Sequence, residues 1–226
     1  MKVLRIVCRG VAGIFFPIGT PEDGGTCQYA NKVCLKKCYA LDKDYDEGVN
    51  IPESEKKDIL QFFIGNPIIA VCNEIMKEMD ELQATILSWF TSGDCLDDHI
   101  DRIYKMMTLL HEEGIIQNGF TRNTKLYEKI LRDKKVYDNI FRIILTLESK
   151  NIGNAPSCSR NYPAGIWAIP DYGAGITKLY YGKLGYTSYG GCGFNDVTHQ
   201  FNGKEVKIAT NCLGCFKKKI GCFIEL

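Results

Sequence analysis

The residues of this chain with the most chemistry in them are its cysteines, eleven in 226 residues. A reducing compartment discourages structural disulfides, and an odd number cannot pair completely, so metal binding is the leading explanation of so many thiols. They fall into two groups. The first lies on Cys27-Gln-Tyr-Ala-Asn-Lys-Val-Cys34-Leu-Lys-Lys-Cys38-Tyr39-Ala40. Three thiolates on one loop suffice to hold three irons of a [4Fe-4S] cube and to leave the fourth iron open to a small ligand. Lys36 and Lys37 offset the negative charge of such a cluster and lower the thiol pKa values, and Tyr39 is placed to shield one side from water. The second group, Cys192, Cys212-Leu-Gly-Cys215 and Cys222, offers four thiolates with a two-residue gap common to zinc and iron–sulfur sites. A second [4Fe-4S] cluster is the preferred reading, because the first site already points to iron and Lys217, Lys218 and Lys219 stand between the ligands; structural zinc is the alternative. Cys8, Cys72, Cys95 and Cys158 stand singly and read as small buried hydrophobes.

Something must hold these loops in place, and the apolar periodicity says what. Residues 3–16 read as a strand with its following loop. Residues 54–64 and 67–83 read as helices, since Ile59, Leu60, Phe63 and Ile64, then Ile68, Val71, Ile75 and Met79, recur at three- and four-residue spacing, with Pro67 in the first turn of the second. Residues 84–90 form a buried strand that runs into Thr91-Ser92-Gly93-Asp94, where the chain must turn. Asp94, Asp97 and Asp98 then open an amphipathic helix through about His111, with Ile100, Ile103, Tyr104, Met107 and Leu110 as its inner stripe. Strand 115–121, helix 124–134 and strand 140–147 continue the alternation.

Strands joined by helices imply a parallel sheet. Right-handed crossovers make it either an open doubly wound sheet or a partial (β/α) barrel, with ligands at the carboxyl ends of the strands. The fold class is therefore α/β, a partial (β/α) barrel or open parallel sheet with a cysteine-rich C-terminal extension. Residues 1–150 form the cluster-binding core, and residues 151–226 carry the remaining strands and the second cysteine group, the two together making one compact unit. In the latter, 166–169 and 178–181 read as strands, and 198–201 with 205–208 as a hairpin about Asn202-Gly203.

Bulk properties narrow the function. With 28 basic and 27 acidic residues the formal net charge is +1, which lacks the excess that phosphate neutralisation requires, so nucleic-acid binding is not supported. No apolar run reaches the roughly 18 to 20 residues of a spanning helix, and Arg5 and Arg9 interrupt the apolar start, which no small-residue cleavage site follows. A cytoplasmic, membrane-free protein is expected.

An N-terminal cysteine cluster ending Cys34-x-x-x-Cys38-Tyr39-Ala40, a strand ending Ser92-Gly93-Asp94, βα units and a terminal Cys212-x-x-Cys215 together resemble the phage "gene product 88" family, which itself resembles the radical SAM superfamily. The resemblance runs from about Cys27 to Cys222. It implies a partial (β/α) barrel in which Cys27, Cys34 and Cys38 hold a cluster whose open iron binds S-adenosylmethionine. Ser92, Gly93 and Asp94 would then stand where that superfamily holds the SAM amino group, and Glu148 and Ser149 where a ribose contact belongs. A reductant such as a ferredoxin or flavodoxin would supply the electron, and an anaerobic, phage-like setting suits the composition. The usual gaps between the first three cysteines are three and two residues, whereas here they are six and three. A fourth protein ligand and simple electron transfer therefore stay open, as does a zinc-stabilised binding module.

Other motifs carry less. Asp42 to Glu53 mimics a calcium loop, but Glu47 occupies the position that requires glycine and Pro52 intrudes. His99, His111 and His199 are far apart and read as surface or capping residues, and the tyrosines between Tyr162 and Tyr189 as packing.

Overall fold

The computed structural model describes residues 1–8, 10–30, 35, 38, 51–132, 141–146, 167–171, 190–191, 198–201, 204–207 and 222–225. The chain starts with β1 (Arg5–Cys8) and β2 (Val11–Phe15), then passes through two helices, α1 (Glu53–Gly65) and α2 (Ile68–Glu81). Next come β3 (Ile86–Ser92), α3 (Ile100–Glu112), β4 (Ile116–Thr121), α4 (Thr124–Arg132) and β5 (Phe141–Thr146). After these follow β6 (Trp167–Asp171), β7 (Gly190–Gly191), β8 (Thr198–Phe201), β9 (Lys204–Lys207) and β10 (Cys222–Glu225).

The order of the main sheet is β1-β2-β3-β4-β5-β6-β10-β7. Only β1 and β2 pair antiparallel; every other neighbour is parallel. The class is thus α/β with an open, mixed, mostly parallel sheet. From β2 to β6 the order follows the chain, without the reversal that defines a doubly wound sheet. One right-handed sense of crossover then puts the intervening helices on one face. The packing agrees: Ala12, Ile14, Phe16, Leu87, Trp89 and Ile143 of the sheet share one core with Ile59 and Phe63 of α1, Ile75 of α2, Met107 and Leu110 of α3, and Leu126 and Ile130 of α4.

Aromatic rings knit that core edge to face. Phe63 stands at 5.2 Å from Phe16 and 6.2 Å from Trp89, centroid to centroid. The indole Nε1 of Trp89 donates to Gln117 Oε1 at 2.7 Å, and Gln117 Nε2 donates to the Met107 carbonyl at 3.0 Å, so β3, β4 and α3 are tied by a buried carboxamide satisfied at both ends. A second buried polar anchor is Glu78 in α2. Its carboxylate accepts the backbone N–H groups of Val3 (2.9 and 3.0 Å) and Leu4 (2.7 Å), which holds the start of β1 against the helix.

Several elements differ from what periodicity indicates. The start of the chain is a hairpin rather than one strand and a loop, because it turns through Gly10 and β1 returns along β2. Strand β3 lies two residues later than expected, since Ala84 and Thr85 are used to leave α2: Ala84 N–H donates to Met79 and Thr85 N–H to Gly10. Pro67 caps α2 from outside instead of lying in its first turn. The helix expected to open at Asp94 opens at Ile100; Asp97 and Asp98 form a separate 3-10 turn with His99, and Asp94 belongs to neither. Met106 joins the inner face of α3. The β8–β9 hairpin appears as the Asn202-Gly203 turn demands, with Phe201 opposite Lys204. Residues 178–181 and Cys158 lie outside the described residues.

Candidate functional site

Three loops meet at the carboxyl ends of β2, β3 and β4. The first leaves β2 at Phe16 and folds back on itself. Thr26 N–H and its hydroxyl both donate to the Pro17 carbonyl (3.0 and 2.9 Å), and Cys27 N–H donates to the Gly19 carbonyl at 2.8 Å. The two limbs touch at Gly19 and Gly25, where a Cβ on Gly25 would stand 2.3 Å from the Gly19 oxygen, so only glycine lets the loop close.

The second loop follows β3 and owes its course to a bulge. Gly13 of β2 pairs with Ser88, but Phe15 pairs with Ser92, so β3 spends two more residues than its neighbour over that stretch. Phe90, within the bulge, takes a left-handed conformation at φ 54°, held there by burial against Phe16 and Trp89. The bulge re-aims Ser92, whose hydroxyl donates to the Phe16 carbonyl at 2.9 Å, and Gly93. Gly93 has φ 71°, and a Cβ there would lie 2.5 Å from Thr26 Oγ1 and 2.7 Å from Phe16 Cβ. The β2 and β3 loops are therefore in backbone contact.

Asp94 closes the junction. It is 3% exposed. Its N–H donates to Thr26 Oγ1 at 2.9 Å, and its carboxylate accepts from the Thr121 hydroxyl (2.6 Å), Cys95 N–H (2.8 Å) and Arg122 N–H (2.7 Å). Burial pushes the Asp94 carboxyl up to about 6, against the pull of those three donors. Asp97 forms a second junction beside it. Tyr29 Oη donates to both of its oxygens (2.9 and 3.0 Å), Asn123 Nδ2 donates at 3.0 Å, and Lys125 Nζ completes the set; Asp97 N–H in turn donates to Gln28 Oε1 at 3.1 Å. Burial works to raise the Asp97 carboxyl, but the bonds from Lys125, Tyr29 and Asn123 prevail and hold it below the usual range. Burial and the Asp97 bond raise the Tyr29 phenol. Asn123 also caps α4, its Oδ1 accepting Leu126 N–H at 3.0 Å.

The cysteines are set against this frame. Cys27 is 9% exposed, and its thiol lies within electrostatic reach of Asp94, Arg122 and Cys38. Burial above all, with Asp94 and Cys38 adding, pushes that thiol up to about 12. Cys27, Cys38, Cys72 and Cys95 are free thiols. Cys72 and Cys95 are core residues, as expected of isolated cysteines. Among the described residues no three metal-binding side chains converge. Cys34, Tyr39, Glu148, Ser149, Cys192, Cys212 and Cys215 lie outside the described residues. Cys222 opens β10, where it pairs with Ala168 of β6 and Gly190 of β7, so the chain two residues before Cys192 runs beside it.

The loop that carries Cys27 thus meets Gly93 and Asp94 through Thr26, and Cys38 lies within electrostatic range of Cys27. The sequence reading passed over Thr26, Tyr29, Asp97, Thr121, Asn123 and Lys125. Their one local signal was Thr121-Arg-Asn123-Thr at a strand-to-helix junction, where asparagine is a favoured cap. No helix of the described residues is long and apolar enough to cross a membrane. No family model matches the chain, and comparisons with curated proteins and with solved structures return no match.

Proposed function

We propose that the chain is an iron–sulfur protein of radical SAM type, built on a partial (β/α) barrel, with two [4Fe-4S] clusters. Cys27, Cys34 and Cys38 would hold the first, and Cys192, Cys212, Cys215 and Cys222 the second. The observation that carries this reading is the position of Cys27, within reach of Cys38, on the loop after the first parallel strand, at the sheet edge where α/β folds bind ligands. Strands in chain order with helices on one face support the barrel. The pairing of Cys222 with Gly190 supports a shared second site.

The proposed donors are the free thiols Cys27 and Cys38, with Cys34 between them in sequence. Burial holds the Cys27 thiol neutral on its own, so a metal ion there would have to displace its proton to solvent, and metal and proton compete for the site. The chemistry a bound first cluster would supply is one electron, drawn from a ferredoxin- or flavodoxin-like reductant, for cleavage of S-adenosylmethionine to methionine and a 5′-deoxyadenosyl radical that would act on a further substrate. The protein's part is to place the ligand. Gly93 lets the loop after β3 pack directly against Thr26 of the cysteine loop, and Gly93, Ser92, Tyr39, Glu148 and Ser149 are the proposed further contacts. Asp94 serves this edge by joining the three loops through Thr26, Thr121, Cys95 and Arg122.

The test is anaerobic purification of the full chain, with iron, sulfide and zinc per chain and electron paramagnetic resonance of the reduced protein with and without S-adenosylmethionine. About eight irons, a signal altered by S-adenosylmethionine and release of 5′-deoxyadenosine are expected. About eight irons with no such response would make the chain an electron-transfer protein. Zinc without iron would overturn the reading.

A further inference from the structure

The described start of the cysteine loop is tied by Thr26 to Pro17 and Asp94 and by Cys27 to Gly19. Between Thr26 and Ala30 it packs little apolar surface, only Cys27 and Ala30 with Leu35 against them. Its internal bonds are those of a short turn: Gln28 N–H to Thr26 and Ala30 N–H to Cys27. A segment with so few apolar contacts opens locally unless something outside holds it.

For the residues after Cys27, such a hold comes from one carboxylate. We propose that Asp97 is the positioning residue of the cysteine loop, gripping the two residues that follow Cys27 and tying them to the loops after β3 and β4. Tyr29 donates its hydroxyl to both Asp97 oxygens, and the Asp97 N–H donates to the Gln28 side chain, so both faces of the 28–29 step are held. Asp97 is itself fixed from the far side by Asn123 and Lys125. Asn123 is fixed in turn, since Nδ2 also donates to the Cys95 carbonyl at 2.9 Å and Oδ1 caps α4. The path runs from a rigid helix start through Asn123 and Asp97 to Tyr29 and so to Cys27. The two acids of this loop divide the labour: Asp94 spends its carboxylate on the strand ends, and Asp97 spends its own on the cysteine loop. The grip stands on the geometry alone; its consequence for a cluster rests on Cys27 being a ligand.

The test uses the anaerobically purified full chain and the variants Asp97→Ala, Asp97→Asn and Tyr29→Phe. Hydrogen bonds to a charged group are each worth enough that losing them should speed exchange of the Cys27 and Ala30 amides about tenfold in Asp97→Ala, with β3 and β4 amides unchanged. Tyr29→Phe, which removes a single hydroxyl at a half-exposed position, should give a smaller rise in the same amides, and Asp97→Asn should restore most of the protection. Release of iron to a chelator from the first site, read in a background of Cys212→Ser, should quicken in the same order, with a shifted resonance signal. Unchanged exchange in Asp97→Ala overturns the proposal whatever the iron content. Faster exchange in chain that holds no iron leaves the grip standing and removes the cluster from the account.

Discussion

Asp94 shows what a single buried charge does at this junction. Its carboxyl is pushed up to about 6 from 3.8, so between these values the folded chain keeps a proton that the unfolded chain has lost. The contribution is therefore fully present below about pH 4 and is lost as pH rises through about 6, by roughly 3 kcal/mol in all. Urea unfolding of wild type and Asp94→Asn across that window should show the wild type losing stability relative to the variant as pH rises; a constant difference would contradict the assignment. Gly93 is constrained by contact as well as by φ. Any side chain there meets Thr26 and Phe16, so Gly93→Val should separate the two loops and abolish iron retention, while Gly114, with open space around it, should tolerate alanine at the modest cost of its left-handed φ.

At the scale of elements, helix faces and strand ends do different work. The helix faces make the core, and that of α2 carries a carboxylate among its apolar residues. Glu78 accepts three bonds from Val3 and Leu4, and it is buried. Glu78→Ala leaves the buried N–H donors of Val3 and Leu4, just before β1, unmet and should destabilise the fold by about 3 kcal/mol, measured by thermal unfolding, with hydrogen exchange rising first at Leu4 and in β1. The strand ends make the site. The bulge in β3 is the device that separates these two duties, since the residues before it, Leu87 and Trp89, are core and those after it, Ser92 and Gly93, face the loops.

For the whole molecule the question is whether the two cysteine groups act independently. They stand at opposite ends of the chain, and the sheet brings β10 to the far side of β6, with four strands between it and β2. If the two groups hold the clusters proposed, those clusters should be lost separately. Cys27→Ser and Cys212→Ser should each lower iron from about eight to about four per chain, and only Cys27→Ser should remove the response to S-adenosylmethionine. Loss of all iron in either variant would mean a shared site.

Cysteine type, number and spacing, together with the three- and four-residue and alternating periods, were enough to indicate two thiol groups, helices at α1 to α4 and a parallel sheet, because these follow from local chemistry and from burial of one face. The alternation of strand and helix left doubly wound and singly wound orders equally open; only the strand neighbours decide between them, and they follow the chain from β2 to β6. The bulge at Phe90 and the hairpin through Gly10 were invisible for a related reason, since both depend on the register with a neighbouring strand. Asp94 and Asp97 read alike as acids at a helix start. Tertiary structure alone assigned one to the strand ends and the other to Tyr29, because a carboxylate takes its role from the donors that reach it, and those donors come from residues 29, 95, 121, 122, 123 and 125.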